Sequence, residues 1–511
     1  MRNRFLIILS AVLYCFVAAG QQSSVITEKY FSDPPVSFAT PSLSIDEDRL
    51  ATYDEVMTWI SRNISGKPGA EVRIIGQSER GLDIPVIYLQ RPGQDPKLRI
   101  WMQGVLHGNE PSGVEGLLHL AMQLLNDKET SMLLDHLSIA ILPIANIDGY
   151  VANTRASARG LDLNRDQTKF ADPVSVIIKR AFMEWNPDVA ADFHEYTPAR
   201  RDYSVFGNKG ATISYDVKFV APGSLILTEG QRRASYYILQ KEAEKVLDEY
   251  GYTHFFYFTS SMVDGEMVLS SGANSPHSSA TSYALSNAVS FFVETRGIGL
   301  GRTSLARRAH GVFLTALSML ESSVRHEEEI REIVETAKME AINGSDDIVV
   351  VAEPAEEYYD VTFIDLETAE HIVKRLKTRD ESVLTPVLVR SRPKGYIIEA
   401  ATERELSILR ILGLEVVPLK RSKRYLAESY MIVEQTNART VWEGITRVTV
   451  KTDLVRSRKR FGKGDYYIDL AQENSRYAVV LLEPESENGF VNYEVTESKA
   501  GQPLRIHRVV K

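Results

Sequence analysis

Apolar residues between positions 44 and 323 form short runs of strand length that alternate with stripes of helical spacing. The alternation predicts an α/β fold, with a mixed, mainly parallel sheet and helices on both faces. Two further apolar runs on either side of residues 78–81 predict a hairpin, and residues 197–230 lack periodicity and read as a long loop. The predicted strands are residues 99–106, 138–146, 188–196 and 288–297, and the predicted helices are residues 44–64, 111–125, 173–185, 231–250 and 305–320.

The pattern changes after residue 325, and a chain of 511 residues is long enough for two or three domains. A charged stretch that ends in NGSDD predicts a linker over residues 326–347. It separates a domain at residues 21–325 from an α+β or β-rich accessory region at residues 348–511. In that region we expect helices near Ala369 and Glu403 and β-like runs at 347–351, 358–363, 395–398, 430–434, 466–470 and 477–482.

The first twenty residues have the pattern of a secretory signal peptide. Arg2 and Arg4 precede the apolar run 5–19, which ends in small residues before Gly20. We therefore expect residues 1–20 to be removed and the mature chain to be exported, to the periplasm or the extracellular space. No later run approaches the roughly 18 apolar residues of a membrane span, so the mature chain is expected to have no transmembrane segment.

Cysteine content and net charge limit the possible metal ligands and binding partners. Cys15 is the only cysteine and lies in the signal peptide, so the mature chain has no disulfide and no thiolate ligand. Without Arg2 and Arg4, 57 basic residues face 68 acidic ones, and the net charge falls from −9 to −11. An acidic chain is a poor candidate for binding nucleic acid, so we expect no nucleic-acid partner. Any bound metal ion must be held by histidines and carboxylates.

Three such side chains lie at the ends of predicted strands. His107 and Glu110 are three residues apart in the turn between strand 99–106 and the helix that starts at Pro111. His194 ends another strand. In an open α/β sheet ligands bind at the carboxyl ends of the strands, and catalytic zinc usually takes three protein ligands and water. The alternative for His194 is a hydrogen-bonded histidine at a strand end.

Other chemistry-bearing residues follow strand ends or lie in apolar surroundings. Arg155, Arg159, Asn164 and Arg165 follow strand 138–146, and the guanidinium groups of the three arginines suit carboxylate recognition or stabilisation of an oxyanion. Asp162, between them, could orient a ligating imidazole. Glu294 is unexpected in an apolar strand. It either pairs with an arginine such as Arg296 or serves as a general base with a raised pKa.

Taken in order, these motifs resemble the zinc metallocarboxypeptidases similar to carboxypeptidase A. The resemblance covers residues 44–323 and rests on HGNE, NIDGY, an arginine nine residues before Asn164, DLNR, DFHEY and VETRG. It implies one zinc ion per chain, a peptide substrate, and a carboxypeptidase-like fold. The C-terminal region is similar to the extension of large exported bacterial members.

The resemblance also implies roles for individual residues. His107, Glu110 and His194 would bind zinc, and Asp162 would support the first histidine. Arg155 would polarise the scissile carbonyl, Asn164 and Arg165 would bind the C-terminal carboxylate of the substrate, and Glu294 would be the general base.

The sequence departs from the family pattern at two points. Ile147 replaces a proline, and Gly272 stands where the family has a tyrosine that covers the substrate, about 22 residues before the base. Tyr283 is the nearest replacement. His277 is either a pocket residue or a plain loop residue, and the small neutral residues 278–281 argue against a preference for basic side chains.

Three alternatives to a carboxypeptidase remain from the sequence. One is a zinc deacylase of the aspartoacylase or succinylglutamate desuccinylase type, which shares HGNE and DLNR. Another is a hydrolase of peptidoglycan peptides. The last is a binding module without catalysis, which Glu294 disfavours because binding alone needs no buried base.

Overall fold

The computed structural model describes residues 22–93, 98–272 and 274–510. The predicted signal peptide lies outside these residues. Within them no helix is both long and apolar enough to cross a membrane. The helices are α1 (Ser24–Tyr30), α2 (Tyr53–Asn63), α3 (Ser112–Asn126), α4 (Ile147–Ala152), α5 (Pro173–Trp185), α6 (Glu229–Ala234), α7 (Lys241–Glu249), α8 (Ser279–Leu285), α9 (Leu305–Arg325), α10 (Glu327–Asn343), α11 (Glu403–Ile411) and α12 (Ser475–Leu482).

The strands form three sheets, which we call the central, bridging and terminal sheets. The central sheet contains β1 (Ala70–Gln77), β2 (Asp83–Leu89), β3 (Leu98–Gly104), β4 (Leu137–Leu142), β5 (Val189–Tyr196), β7 (Val217–Val220), β8 (His254–Phe256) and β11 (Val289–Arg296). The bridging sheet contains β6 (Ala211–Ile213), β9 (Phe258–Val263), β10 (Glu266–Ser271), β12 (Ile348–Asp365) and β13 (His371–Arg390). The terminal sheet contains β14 (Gly395–Ile398), β15 (Val417–Pro418), β16 (Lys423–Asn437), β17 (Val448–Phe461), β18 (Tyr466–Asp469) and β19 (Pro503–Val509).

The central sheet has the order β1-β2-β4-β3-β5-β11-β7-β8 and confirms the predicted fold class. Strands β4, β3, β5 and β11 run parallel. Strand β2 pairs antiparallel with β1 and β4, and β7 pairs antiparallel with β11 and parallel with β8. Every residue of β5 and β11 is buried, so both faces of the sheet centre are covered. Parallel β3, β5 and β11 bring their carboxyl ends to one edge, where the predicted site residues lie.

Two local predictions in this half need correction. The helix expected at residues 44–64 begins only at Tyr53, because Thr52 and Glu55 form a capping box, and Ser42–Ser44 is a short 3₁₀ turn. The stretch 197–230, expected as a loop, contains β6 and β7. Strands this short carry too few alternating positions to be seen in sequence.

The terminal sheet is antiparallel and encloses its own apolar core with α11 and α12. The strands expected at residues 395–398, 430–434 and 466–470 are confirmed. Residues 477–482 form the helix α12 and not a strand, since an apolar run buried on all sides fits either element. Ala369 lies in a turn with a φ of 55°, not in a helix.

The stretch predicted as a linker, residues 326–347, is largely the helix α10. Its apolar residues Ile330, Val334, Ala337 and Ala341 are buried, and Ile330 and Val334 belong to the core of the central sheet. The bridging sheet then joins the two halves of the chain, because β13 pairs parallel with β10 and β12 pairs antiparallel with β6. The polar stretch is therefore a packed element between the two halves.

Candidate active site

His107, Glu110 and His194 meet at the carboxyl ends of the adjacent strands β3 and β5. Nδ1 of His107 lies 2.7 Å from Oε1 of Glu110, and Nδ1 of His194 lies 2.9 Å from Oε2. One donor atom from each of the three buried residues lies within 4.8 Å of the others. Burial opposes ionisation of Glu110, but the two imidazoles hold its pKa at about 2. The group has the number and kind of ligands that catalytic zinc requires.

A carboxylate contacts the second ring nitrogen of each histidine. Nε2 of His107 lies 3.1 Å from Oδ1 of Asp162, and Nε2 of His194 lies 2.8 Å from Oδ2 of Asp192. Such contacts keep the proton on Nε2 and leave Nδ1 as the donor toward a metal ion. Asp162 was predicted from the sequence and Asp192 was missed, although it lies two residues before His194 on the same face of β5. The residues present thus fit a zinc ion.

Arg155 lies beside this group of ligands. Its Nε and Nη2 donate to Oδ2 of Asp162 at 3.0 and 2.8 Å, and its Nη1 lies 3.7 Å from Oε1 of Glu110. Asp162 therefore fixes one edge of the guanidinium, while Nη1 on the other edge faces the zinc ligands and lies 3.2 Å from Nδ1 of His107. A cation held in this way can stabilise negative charge that develops on a nearby oxygen.

Glu294 lies on β11, paired in register with His194 on β5. Its side chain is buried, and its Oε2 has no hydrogen-bond partner among the described residues. Burial raises the pKa of this carboxyl to about 8. The alternative ion pair with Arg296 is not formed, because that guanidinium donates to Gln22 and Thr212. Glu294 has the surroundings expected of a general base.

A cavity of about 160 Å³ connects these groups with Asn164 and Arg165. Both belong to the 3₁₀ turn Leu163–Arg165, which the Asp162 carboxylate caps. Oδ1 of Asn164 accepts a hydrogen bond from the amide of Ser279 at 2.8 Å. Nη1 of Arg165 donates to the Asn164 carbonyl at 2.8 Å, and within the described residues Arg165 forms no ion pair. The cavity is lined by His107, Arg155, Asn164, Arg165, Tyr257, Thr259, Ser270, Ser271, Gly272, Ser275, His277, Ser278, Phe292, Glu294 and Glu381.

The chain is similar to known carboxypeptidases. Among solved structures, the carboxypeptidase A of Helicoverpa armigera aligns with a TM-score of 0.42 and 16% identity over 56% of this chain and 76% of that chain. The profile of a family described as zinc carboxypeptidase matches residues 57–284. Carboxypeptidase 2 of Trichophyton rubrum is 30% identical over 85% of this chain and 81% of that protein, and carboxypeptidase 2 of Trichophyton equinum is 30% identical over 90% and 84%.

The chain belongs to the zinc carboxypeptidase family. It is accordingly a metallopeptidase, and its His107, Glu110 and His194 form the zinc site typical of the family. All three ligands lie within the residues that the family profile matches.

Tyr283 is not part of this zinc carboxypeptidase's cavity, which corrects the prediction. Its ring stacks on Phe182 with centroids 4.4 Å apart, in the core of the central sheet. Tyr257, between β8 and β9, lines the cavity instead, and its ring contacts Phe292. The family's spacing of about 22 residues between this tyrosine and the base could not identify Tyr257, because β9 and β10 lie between Tyr257 and Glu294. Its only sequence signal is the aromatic run at residues 255–258.

Residues of the accessory region form hydrogen bonds with residues of the site. Nδ1 of His277, a cavity residue, lies 3.1 Å from the hydroxyl of Tyr493. The backbone amide of Asp162 donates to Oε2 of Glu443 at 2.8 Å. Residues far along the chain thus position both a wall of the cavity and the partner of a zinc ligand.

Two neighbouring charged residues lie outside the cavity. Glu195, next to His194, pairs with Arg308 at 2.8 Å, because consecutive strand residues point to opposite faces. Arg159 is exposed and pairs with Glu79 at 3.0 Å. Neither is available for chemistry at the zinc site.

Proposed function

We propose that this metallopeptidase removes single residues from the C-termini of peptides. The observation that carries the proposal is the Arg165 guanidinium, which lines the same cavity as the zinc ligands and Glu294 but forms no ion pair within the described residues. A peptide carboxylate would supply the missing counter-charge, and Asn164 would add a hydrogen bond. Anchoring the terminal carboxylate there would place the last peptide bond near the zinc site.

The remaining residues have complementary roles in the proposed reaction. Arg155, held by Asp162, would donate from Nη1 to the oxygen of the scissile carbonyl as negative charge develops on it. Glu294 would take a proton from the attacking water and return it to the leaving amine. Its burial supports this role, because a carboxyl whose pKa lies near neutrality can both accept and release a proton. A zinc ion bound by the three ligands supplies Lewis acidity and lowers the pKa of water.

The proposed compartment is extracytoplasmic. The support for it is the N-terminal pattern, in which Arg2 and Arg4 precede an apolar stretch that ends in small residues. Absence of cysteine after residue 15 means that folding there requires no disulfide. Detection of a mature N-terminus near residue 21 in the exported fraction would support this part of the proposal.

The experiment for the activity is mass spectrometry of a mixed peptide library after incubation with the zinc-loaded protein. We expect peptides shortened by one residue at a time from the C-terminus. Cleavage inside peptides, or deacylation of N-acyl amino acids without peptide shortening, would contradict the proposal and favour an endopeptidase or a deacylase. A variant Glu294→Gln, which cannot carry the proton, is the control for contaminating peptidases.

A further inference from the structure

The accessory region contributes one acidic residue to the cavity. Glu381 lies on β13, 187 residues after the last zinc ligand in sequence, and its side chain lines the cavity together with Arg155, Arg165 and Glu294. Of the described residues that line it, Glu294 and Glu381 are the two acids. Glu294 is explained by the proposed chemistry, whereas Glu381 has no role there.

Glu381 is held firmly in this position. Strand β13 pairs parallel with β10, which brings Arg379 opposite Ser270. The backbone amide of Glu381 donates to the hydroxyl of Ser271 at 3.1 Å, and Oε2 of Glu381 accepts from the amide of Asn274 at 3.2 Å. The sheet therefore holds the backbone at Glu381, and the amide of Asn274 holds its carboxylate.

Gly272 makes this approach possible. A Cβ atom built on Gly272 would lie 2.5 Å from Cβ of Glu381, and the glycine has a φ of 93°, which other residues rarely adopt. Gly272 is the position where the family resemblance leads one to expect a tyrosine. The departure from the family pattern thus creates the space that Glu381 occupies.

The Glu381 carboxylate lacks a cationic partner within the described residues. Burial raises its pKa to about 7. The hydrogen bond from the Asn274 amide and the charge of Arg379 lower this pKa, whereas the charges of Glu487 and Asp380 raise it. The adjoining wall is formed by neutral residues, Ser270, Ser271, Ser275 and Ser278. A half-buried carboxylate on a neutral wall is a binding point for a positively charged group.

We propose that Glu381 selects substrates whose C-terminal residue carries a cationic side chain, lysine or arginine. The inference rests on the proposed carboxypeptidase function. Arg165 would bind the α-carboxylate while Glu381, on the wall contributed by the accessory region, binds the side-chain cation. The small residues 278–281 argue from the sequence against a preference for basic side chains, but that argument does not include a wall residue from beyond position 348.

The test compares two substrates of nearly equal shape, benzoylglycyl-arginine and benzoylglycyl-citrulline, which differ in the charge of the side chain. Assays at pH 8 keep Glu381 mainly ionised. We expect the kcat/KM of the wild type to be about 30-fold or more higher for the arginine substrate, because the citrulline substrate leaves the Glu381 carboxylate without a charged partner. In Glu381→Gln the ratio should fall to within about threefold of unity, mainly through loss on the arginine substrate.

Glu487→Gln is the matched control. It removes a carboxylate that acts on Glu381 but does not line the cavity, and its ratio should stay at the wild-type value. Zinc content and melting temperature report on the fold of each variant, and Glu381→Ser, which matches the serines of the same wall, replaces Glu381→Gln if that variant is unstable.

Equal cleavage of arginine and citrulline by the wild type would overturn the proposal, as would an unchanged ratio in a folded Glu381 variant. Failure of the wild type to shorten any peptide in the library would instead reject the underlying carboxypeptidase function. The two failures are therefore distinguishable.

Discussion

Amidation of the substrate C-terminus is the perturbation that best tests whether this enzyme recognises the terminal carboxylate of its substrate. A carboxamide has nearly the shape of a carboxylate but no charge. In the cavity, Arg165 donates to the Asn164 carbonyl at 2.8 Å and forms no ion pair with a described residue. An amidated peptide would thus leave the guanidinium without a counter-charge.

The size of the effect follows from the surroundings of Arg165. Loss of one partner from a buried charge pair costs about 2 to 5 kcal/mol. Because Arg165 is only half-buried and water screens part of the interaction, we expect the lower part of this range, about 2 to 3 kcal/mol. That free energy corresponds to a loss of about 30- to 150-fold in kcat/KM.

The assay measures kcat/KM for one peptide as free acid and as amide, with the wild type, Arg165→Ala and Arg159→Ala. Arg165→Ala should be slow on the acid and should discriminate little between the two forms. Arg159→Ala should behave as the wild type, because Arg159 pairs with Glu79 outside the cavity. Equal cleavage of acid and amide by the wild type would refute the assignment of Arg165 as the carboxylate anchor.

Four further outcomes are expected. Glu294→Gln should lose about 10² to 10⁴ in kcat with zinc content unchanged, and near wild-type turnover would place the base elsewhere. Asp192→Asn, which weakens the support of His194, should lower zinc affinity about 10- to 100-fold in chelator competition; unchanged affinity would contradict this role. Burial lowers the pKa of Lys179 to about 7, so above that pH the unfolded chain binds a proton that the folded chain does not. The free energy of unfolding of the wild type should therefore rise relative to that of Lys179→Met from pH 7 to 10, by up to about 1.4 kcal/mol per pH unit in denaturant titrations. The same pH dependence in both proteins would refute this expectation. A chain that ends at Asn343 should be insoluble, because β6 and β10 lose their partners β12 and β13 in the bridging sheet. A soluble product that binds zinc would show that the first half folds alone.

Much of the site could be predicted because it depends on strand ends. His107, His194 and Glu294 each lie at or near the carboxyl end of a strand with a strong apolar signal, and parallel pairing brings such ends together. Asp192 could have been found by the same reasoning, because alternation along β5 gives it the face of His194.

Other parts of the site could not be predicted from local pattern. Tyr283 was chosen by its distance in sequence from Glu294, but packing against Phe182 places it in the core. Glu381 reaches the cavity only through the pairing of β13 with β10, and no local signal specifies which distant strands pair. The helix α12 was taken for a strand because full burial removes the periodicity that distinguishes the two.

The pairing of β10 with β13 also sets the order in which the enzyme is completed during synthesis. Ser271 contacts Asp380, 109 residues further along the chain. The ribosome has therefore released all three zinc ligands, both arginines and Glu294 well before it makes the strand that closes the cavity wall. A nascent or prematurely terminated chain can hold every residue of the reaction and still lack the wall against which the substrate side chain rests.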